Sequence, residues 1–339
     1  MRRASNASNR SANAARCWIE SPSARVTSPP VSPLTSPAVV TPESEPSRPS
    51  KLTLAFWLFM MLVLWSGNYV AGKIALRTLD PITLTCLRLQ LAAFLMLAIY
   101  FSRRERQPLK LGDAWPFLYL GFFGVVANQG LFTVGLNYTT SNHSAVIIAV
   151  GPIIILLLAR ALKLEALTAA KVFGMAISFV GVYLLETEHG SPAHSPFLLG
   201  DMITFGGVIG FSIYAVLGKR VAAQYDAIAM NTFNCVAAAL LLLPLTTRQV
   251  VHLEWHAVAL SGWLGMIYMA VGSSVGAYTI FYWVLRYMTA SRVGAVSYFQ
   301  PVVVILLSIA FLGERPSRML LEGTALVLVG VFLAERGRS

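Results

Sequence analysis

The 339-residue sequence predicts an all-α membrane protein: ten transmembrane helices arranged as two inverted five-helix repeats. Three observations carry this. The composition is apolar and poor in charge, ten hydrophobic runs have spanning length, and the chain matches itself at an offset of 149 residues. Hydrophobic residues make up 56% and charged residues 12%. A soluble chain is nearer half apolar and a quarter charged, so too few polar groups are present to cover a water-facing surface. That disfavours a soluble enzyme, a nucleic-acid binder and a disordered regulator. Three cysteines (Cys17, Cys86, Cys235) have neither metal nor redox spacing.

Residues 1–50 hold 8 of the 17 prolines and 11 serines, with six Arg against three Glu. Such a segment buries too little apolar surface to offset its ordering entropy, so residues 1–51 read as a disordered basic tail. It lacks the apolar core of a secretory signal. A transit peptide, an upstream extension and a plain cytosolic tail all fit its composition.

A helix needs about 20 apolar residues to cross the hydrocarbon core. Runs of this kind fall at 53–72, 82–101, 115–136, 143–162, 168–186, 198–218, 227–246, 257–281, 290–311 and 318–335. Placing the N-terminus in the cytoplasm puts 20 of the 26 Lys and Arg residues in inside segments, 5 outside, and Arg88 within the second span. Lys/Arg bias sets orientation, so both termini are expected to be cytoplasmic. The net charge of +11 is then a topology signal and no nucleic-acid partner is needed.

At the offset of 149, residues 142–186 lie over 291–335 without a gap. The 12 identical pairs include Pro152/Pro301, Glu165/Glu314, Gly174/Gly323, Gly181/Gly330 and Glu186/Glu335. Pro, Gly and Glu coincidences carry the weight, because Leu and Val matches are cheap between membrane segments. At an offset of 146, Ser66, Gly72, Lys73 and Asp80 fall on Ser212, Gly218, Lys219 and Asp226. The repeats are assigned to residues 52–187 and 198–336. Five crossings per copy force the second to enter from the opposite side, and inverted repeats of this kind can exchange inward-open and outward-open states. A duplicated membrane scaffold is the alternative.

The second repeat carries Gly276-Ala277-Tyr278 through Tyr287, Ala290-Ser291-Arg292-Val293-Gly294, Gln300-Pro301 and Phe311-Leu312-Gly313-Glu314-Arg315. The first carries Trp65-Ser66-Gly67-Asn68-Tyr69-Val70 and Leu84-Thr85-Cys86-Leu87-Arg88. Over residues 53–335 the pattern resembles the drug/metabolite transporter superfamily, specifically its EamA type. The counterpart of the Gly-Glu-Arg turn departs from it, reading Leu164-Glu165-Ala166. The resemblance implies ten helices, export or exchange of small metabolites, and a multi-pass place in the plasma (inner) membrane.

A carrier site is expected near the midplane, lined by polar and aromatic groups on interrupted helices. Asn128 and Gln129 are adjacent amides midway along the third span, serving either a substrate or a neighbouring helix. Trp65, Asn68 and Tyr69 lie in the first span, with Trp65 and Asn68 on one face. Arg88, six residues into the second span, either snorkels outward, pairs with Asp80 or binds a substrate carboxylate. Tyr214, Tyr278, Tyr282, Tyr298 and Gln300 are the second-half candidates. Pro152 and Pro301 sit inside matched spans, where each is expected to kink its helix and act as a hinge. His143 and its partner Arg292 read as end-of-helix residues. No carboxylate lies at mid-span, which argues against a mid-membrane carboxylate relay.

His252-Leu253-Glu254-Trp255-His256 has the wrong order for a zinc helix, so no metal is assigned. No nucleophile arrangement or phosphate loop is evident, so neither an enzyme nor a cofactor is expected, with a membrane-embedded enzyme as the alternative to transport. The expected partners are a small-molecule metabolite and the lipid bilayer.

Overall fold

The computed structural model describes residues 49–162, 168–187, 195–222, 224–288, 293 and 298–336. Among them the chain is helical, with no strand. The helices are α1 (Lys51–Ala75), α2 (Pro81–Ser102), α3 (Ala114–Tyr138), α4 (Ser141–Ala149, resuming as Gly151–Ala161) and α5 (Ala169–Glu186). The second half has α6 (Leu198–Ala222), α7 (Ala227–His252), α8 (Leu260–Leu285), α9 (Gln300–Leu312) and α10 (Arg318–Arg336). Eight of these, α1 to α8, are long and apolar enough to cross a membrane; α9 is apolar but shorter. The tail up to residue 48 and the Leu164-Glu165-Ala166 stretch lie outside the described residues, as does most of 289–297.

Caps fix where the helices begin. Ser50 accepts from the Thr53 N–H at 3.0 Å to start α1. Asp80 accepts from the N–H groups of Ile82 and Thr83, both at 3.0 Å. Its repeat partner Asp226 accepts from Ile228 and Ala229, both at 2.9 Å. A carboxylate there satisfies orphan donors and meets the positive end of the helix dipole. Gly313 closes α9 in the left-handed conformation at φ 69°, where a side chain would be strained. The neighbouring Glu314 carboxylate accepts from the Ser141 N–H at 3.3 Å, so this turn caps α4.

Two features differ from the sequence expectation. Pro152 does not kink a continuous helix: α4 breaks at Val150, and Pro152 stands in the first turn of the resumed helix. Pro301 likewise sits in the first turn of α9, which starts at Gln300. Proline is favoured there because its missing N–H has no intrahelical partner anyway. Helix α7 continues past Pro244 to His252. Gln90 of α2 supports that stretch, donating to the Ala239 carbonyl at 2.9 Å and to Thr246 at 3.2 Å.

The two repeats interleave. Helix α1 packs on α8, α6 on α3, and α2 on α7, so each repeat's first helix lies against the other's third. The fifth helices, α5 and α10, pack on each other. Gly174 faces Gly330 and Gly181 faces Gly323, each the repeat partner of the other's contact. Between them the Ser178 hydroxyl donates to the carbonyl of Val327, its own repeat equivalent, at 3.1 Å. Only an antiparallel pairing about a two-fold axis through Ser178 and Val327 produces this swap, so the crossing itself displays the inversion.

At one end of the bundle the α2–α3 and α6–α7 connections are clasped. Arg103 pairs with Asp226 at 2.8 Å. Gln107 accepts from the Asp226 N–H at 2.6 Å, and the Tyr225 hydroxyl donates to Asp113 at 2.7 Å. Burial opposes ionisation of Asp226, but the Ala229 N–H, Arg103 and the Ile228 N–H outweigh it and hold the carboxyl below its ordinary value.

Two predictions follow from this packing. A Cβ on Gly174 would strike the Gly330 carbonyl and the Ala334 backbone. Gly174→Val should therefore cost about 1–3 kcal/mol of stability, read as a lower unfolding midpoint in mild detergent. Gly112→Ala, with nothing within 4 Å of its added carbon, should leave the midpoint unchanged. Asp226→Ala removes a cap worth about 1 kcal/mol. Because the folded pKa is depressed, the deficit should be constant at neutral pH and shrink as pH falls through that depressed value. A deficit that grows on acidification contradicts the assignment.

Candidate functional site

The interruptions in α3 and α8 occupy the same place in the two repeats. Helix α3 widens to a π-helix over Phe122–Ala127, and α8 does so over Met269–Ala277. Shifted by the repeat offset, the first segment falls inside the second. Such widened turns are rare and recur at functional sites, because they re-aim the side chains that follow. Here those side chains are Asn128 and Gln129 in α3 and Tyr278 in α8. Gln129 and Tyr278 are repeat equivalents.

Arg88 is only 1% exposed, on the eighth residue of α2. It neither snorkels nor pairs with Asp80, whose carboxylate is engaged at the helix cap. Its Nη2 donates to Gln129 Oε1 at 2.6 Å. Its Nε and Nη1 have no hydrogen-bond partner in the structure, although both are buried. The Ser274 hydroxyl donates to the same Gln129 oxygen at 3.0 Å. Beside it, Asn128 donates from Nδ2 to the Gly207 carbonyl at 3.1 Å and accepts from the Tyr278 hydroxyl at 3.2 Å. Four helices, α2, α3, α6 and α8, thus meet through one buried network that draws on both repeats.

Aromatic residues line its flanks. Trp65 stands edge-on to Tyr278 with ring centres 5.5 Å apart and lies 5.6 Å from Phe281. Tyr69 meets Phe132 edge-on at 5.0 Å. The Tyr214 and Tyr282 hydroxyls hydrogen-bond each other, and Asn234 donates to Tyr282 at 3.2 Å. Asn68 is buried with its Oδ1 unpaired. Tyr298 packs instead against a separate apolar core that contains Val146, Ile153 and Val327. Gln300 is buried in the first turn of α9.

Sequence reasoning passed over several members. Ser274 gives no signal in isolation. Asn231 and Asn234 did give one: two amides three residues apart in α7, on the face that meets α8. Asn231 donates to the Ser274 carbonyl and to the Thr279 hydroxyl, both at 3.0 Å.

A second polar cluster, at one end of the bundle, was also missed. His143 is not a simple end-of-helix residue: its Nδ1 lies 2.8 Å from Asp201 Oδ2, and both side chains are 2% exposed. The Thr139 hydroxyl donates to Asp201 Oδ1 at 2.7 Å. Glu186 joins them, with a carboxylate oxygen within 4.8 Å of a His143 ring nitrogen and an Asp201 oxygen. Residues 139, 143, 186 and 201 lie at four different helix ends, so no local motif announced the group. These acids sit near helix ends, and the network around Arg88 contains no carboxylate. A recess of about 360 Å³ lined by Leu58, Phe59, Leu62, Phe299, Val302 and Val303 is wholly apolar and offers no polar recognition.

Comparison with known proteins follows the same division of the chain. The model of the EamA-like transporter family matches residues 52–187 and again residues 198–335. The uncharacterized transporter YyaM of Bacillus subtilis is 26% identical over 288 residues, covering 84% of this chain and 93% of its own. A probable terminal-alkyne amino-acid exporter of Streptantibioticus cattleyicolor is 25% identical over 290 residues, covering 84% and 95%. A crystal structure with 21% identity aligns at a TM-score of 0.61 over 86% of this chain and all of that one, which speaks to fold alone. With both repeats matched, the chain belongs to the EamA-like transporter family.

Proposed function

We propose that this protein is a secondary transporter that exports small polar or amphipathic metabolites, amino-acid-like or drug-like, by alternating access. The observation that carries the reading is the position of the Arg88–Gln129–Ser274 and Asn128–Tyr278 network. It lies where the two inverted repeats interleave, immediately after the matched π-helical turns. A carrier must hold its ligand at the surface between two halves that exchange conformations. Arg88, Gln129, Ser274 and Tyr278 are almost wholly shielded from solvent. The conformation is thus closed around the network, and ligand passage requires one end to open.

In this reading Trp65, Asn68, Tyr69, Arg88, Asn128, Gln129, Tyr214, Tyr278 and Tyr282 form the substrate region, while Tyr298 belongs to a separate core and Gln300 to the start of α9. The breaks before Pro152 and Pro301 are the hinges. Residues 52–187 and 198–336 are the two moving repeats, and the Lys/Arg bias of the connections supports cytoplasmic termini in an inner-membrane protein. The name of the S. cattleyicolor relative, an amino-acid exporter, is consistent with a zwitterionic substrate. Membership of a transporter family and the lack of a nucleophile motif favour transport over an enzymatic role. The network's neutral polar groups and single cation provide no mid-membrane carboxylate relay, so coupling does not run through one.

Proteoliposomes loaded with a mixture of labelled metabolites should release a subset with saturable kinetics and accelerate that release when unlabelled substrate is outside. Asn128→Ala and Trp65→Ala should each change rate or selectivity severalfold. Flux that never saturates indicates a channel, and no flux at all a scaffold; either contradicts the reading. Unchanged kinetics in both variants would displace the site from this network.

A further inference from the structure

The guanidinium of Arg88 is the most deeply buried large charged side chain among the described residues. Its surroundings answer only part of what it offers. A guanidinium has five N–H donors in a rigid planar fork. Of its three nitrogens, Nη2 alone is engaged, by Gln129. Nε and Nη1 are buried and unpartnered. The facing groups are neutral: the amide of Gln129, the hydroxyls of Ser274 and Tyr278, and the amide of Asn128. Among the described residues no Asp or Glu pairs with it. A charge removed from water with neither counter-ion nor full hydrogen bonding is a state proteins rarely keep without use.

The Nη2 amine carries two N–H bonds, one on the edge it shares with Nε and one on the edge it shares with Nη1. Gln129 Oε1 takes one of them, and the other, with its unpartnered neighbour, presents two parallel N–H bonds, the arrangement that grips a carboxylate with both of its oxygens. Gln129 holds Nη2, and Ser274 holds Gln129, so the fork is fixed in orientation before any ligand arrives. The aromatic groups of Trp65, Tyr69 and Tyr278 belong to the same region and suit an apolar body attached to that carboxylate.

We infer that Arg88 is the anion-binding residue of the transport site and that the substrates are carboxylates, gripped in a two-point contact along an edge of its guanidinium fork. This rests on the transporter reading above and narrows it: amines and uncharged drug-like molecules without an acid group are excluded as preferred substrates. It also supplies the reason for an Arg in the membrane interior. The substrate neutralises the site, so a loaded carrier crosses between its two states more easily than an empty one, and exchange exceeds net flux.

The experiment uses the full chain in a buffer free of chloride, sulfate and phosphate, and a panel of acid and amide pairs matched in size. Phenylalanine is set against its amide, leucine against its amide, indole-3-acetate against indole-3-acetamide, and 3-phenylpropionate against its amide. Thermal stabilisation and counterflow are measured for each pair, for the natural protein and for Arg88→Gln and Arg88→Lys. At least one acid should exceed its amide by about 10–100-fold in apparent affinity, the worth of a charged hydrogen-bonded pair. Arg88→Gln should bring acid and amide within about twofold without lowering the unfolding midpoint, since it removes an uncompensated charge. Arg88→Lys should keep a preference for the acid but a weaker one, because an ammonium lacks the fork.

A panel in which no acid surpasses its amide overturns the proposal. So does an acid preference that survives Arg88→Gln, or stabilisation by added chloride alone with no difference between acids and amides. Amides carried as fast as acids would sink the carboxylate assignment while leaving the carrier reading intact. Saturable flux of no compound at all would sink both.

Discussion

The crossing of α5 and α10 is the constraint on which the rest of the architecture depends. Lipid tails are as apolar as leucine, so helices in a bilayer gain nothing from mere hydrophobicity and associate by close packing and hydrogen bonds. Gly174, Gly181, Gly323 and Gly330 let the two backbones touch, and Ser178 bonds across to Val327 at the two-fold axis. With the fifth helices locked antiparallel, the remaining four of each repeat are related by the same axis. That places α1 against α8 and α3 against α6, and it brings the matched π-helical turns toward a shared interior.

What occupies that interior is decided by a balance of magnitudes. Burying an isolated cation costs several kcal/mol even after relaxation. A hydrogen bond from a charged donor returns about 1.5–3 kcal/mol. The one strong bond from Arg88 to Gln129 therefore offsets only part of the cost, and Nε and Nη1 are left without compensation. The end cluster has the opposite character. There Asp201 receives the Thr139 hydroxyl and faces His143, so its charge is shared among neighbours. The Asp201 carboxylate is engaged at both oxygens from within the chain, whereas two of the three Arg88 nitrogens are not.

Much of the fold was legible because it follows from one-dimensional rules. Spanning length, Lys/Arg asymmetry and the repeat offset need no knowledge of side-chain contacts. Asp80 and Asp226 were matched by the repeat offset, although their shared role as helix caps came only from the structure. Asn128, Gln129 and Arg88 stood out because polar groups in hydrocarbon are expensive wherever they point. What could not be read was which of these groups meet. The Arg88–Gln129 contact joins residues 41 apart, and the His143–Asp201 contact joins residues 58 apart. Tyr298, judged by type alone, belongs to a different core. The prolines were found correctly but placed inside helices, because position in an apolar run does not reveal that a helix stops at Val150 and starts afresh at Gly151.

The central claim is that the two repeats move reciprocally around the Arg88 network. Distances between spin labels test it most directly, in a chain whose native cysteines are replaced. One pair belongs at Tyr138 and Val251, at one end of the bundle, and the other at Arg104 and Arg286, at the opposite end; all four positions are exposed. Adding a transported carboxylate should lengthen one distance distribution while shortening the other, and Arg88→Gln should abolish that response. Two distributions that stay fixed, or that widen together, would contradict the account.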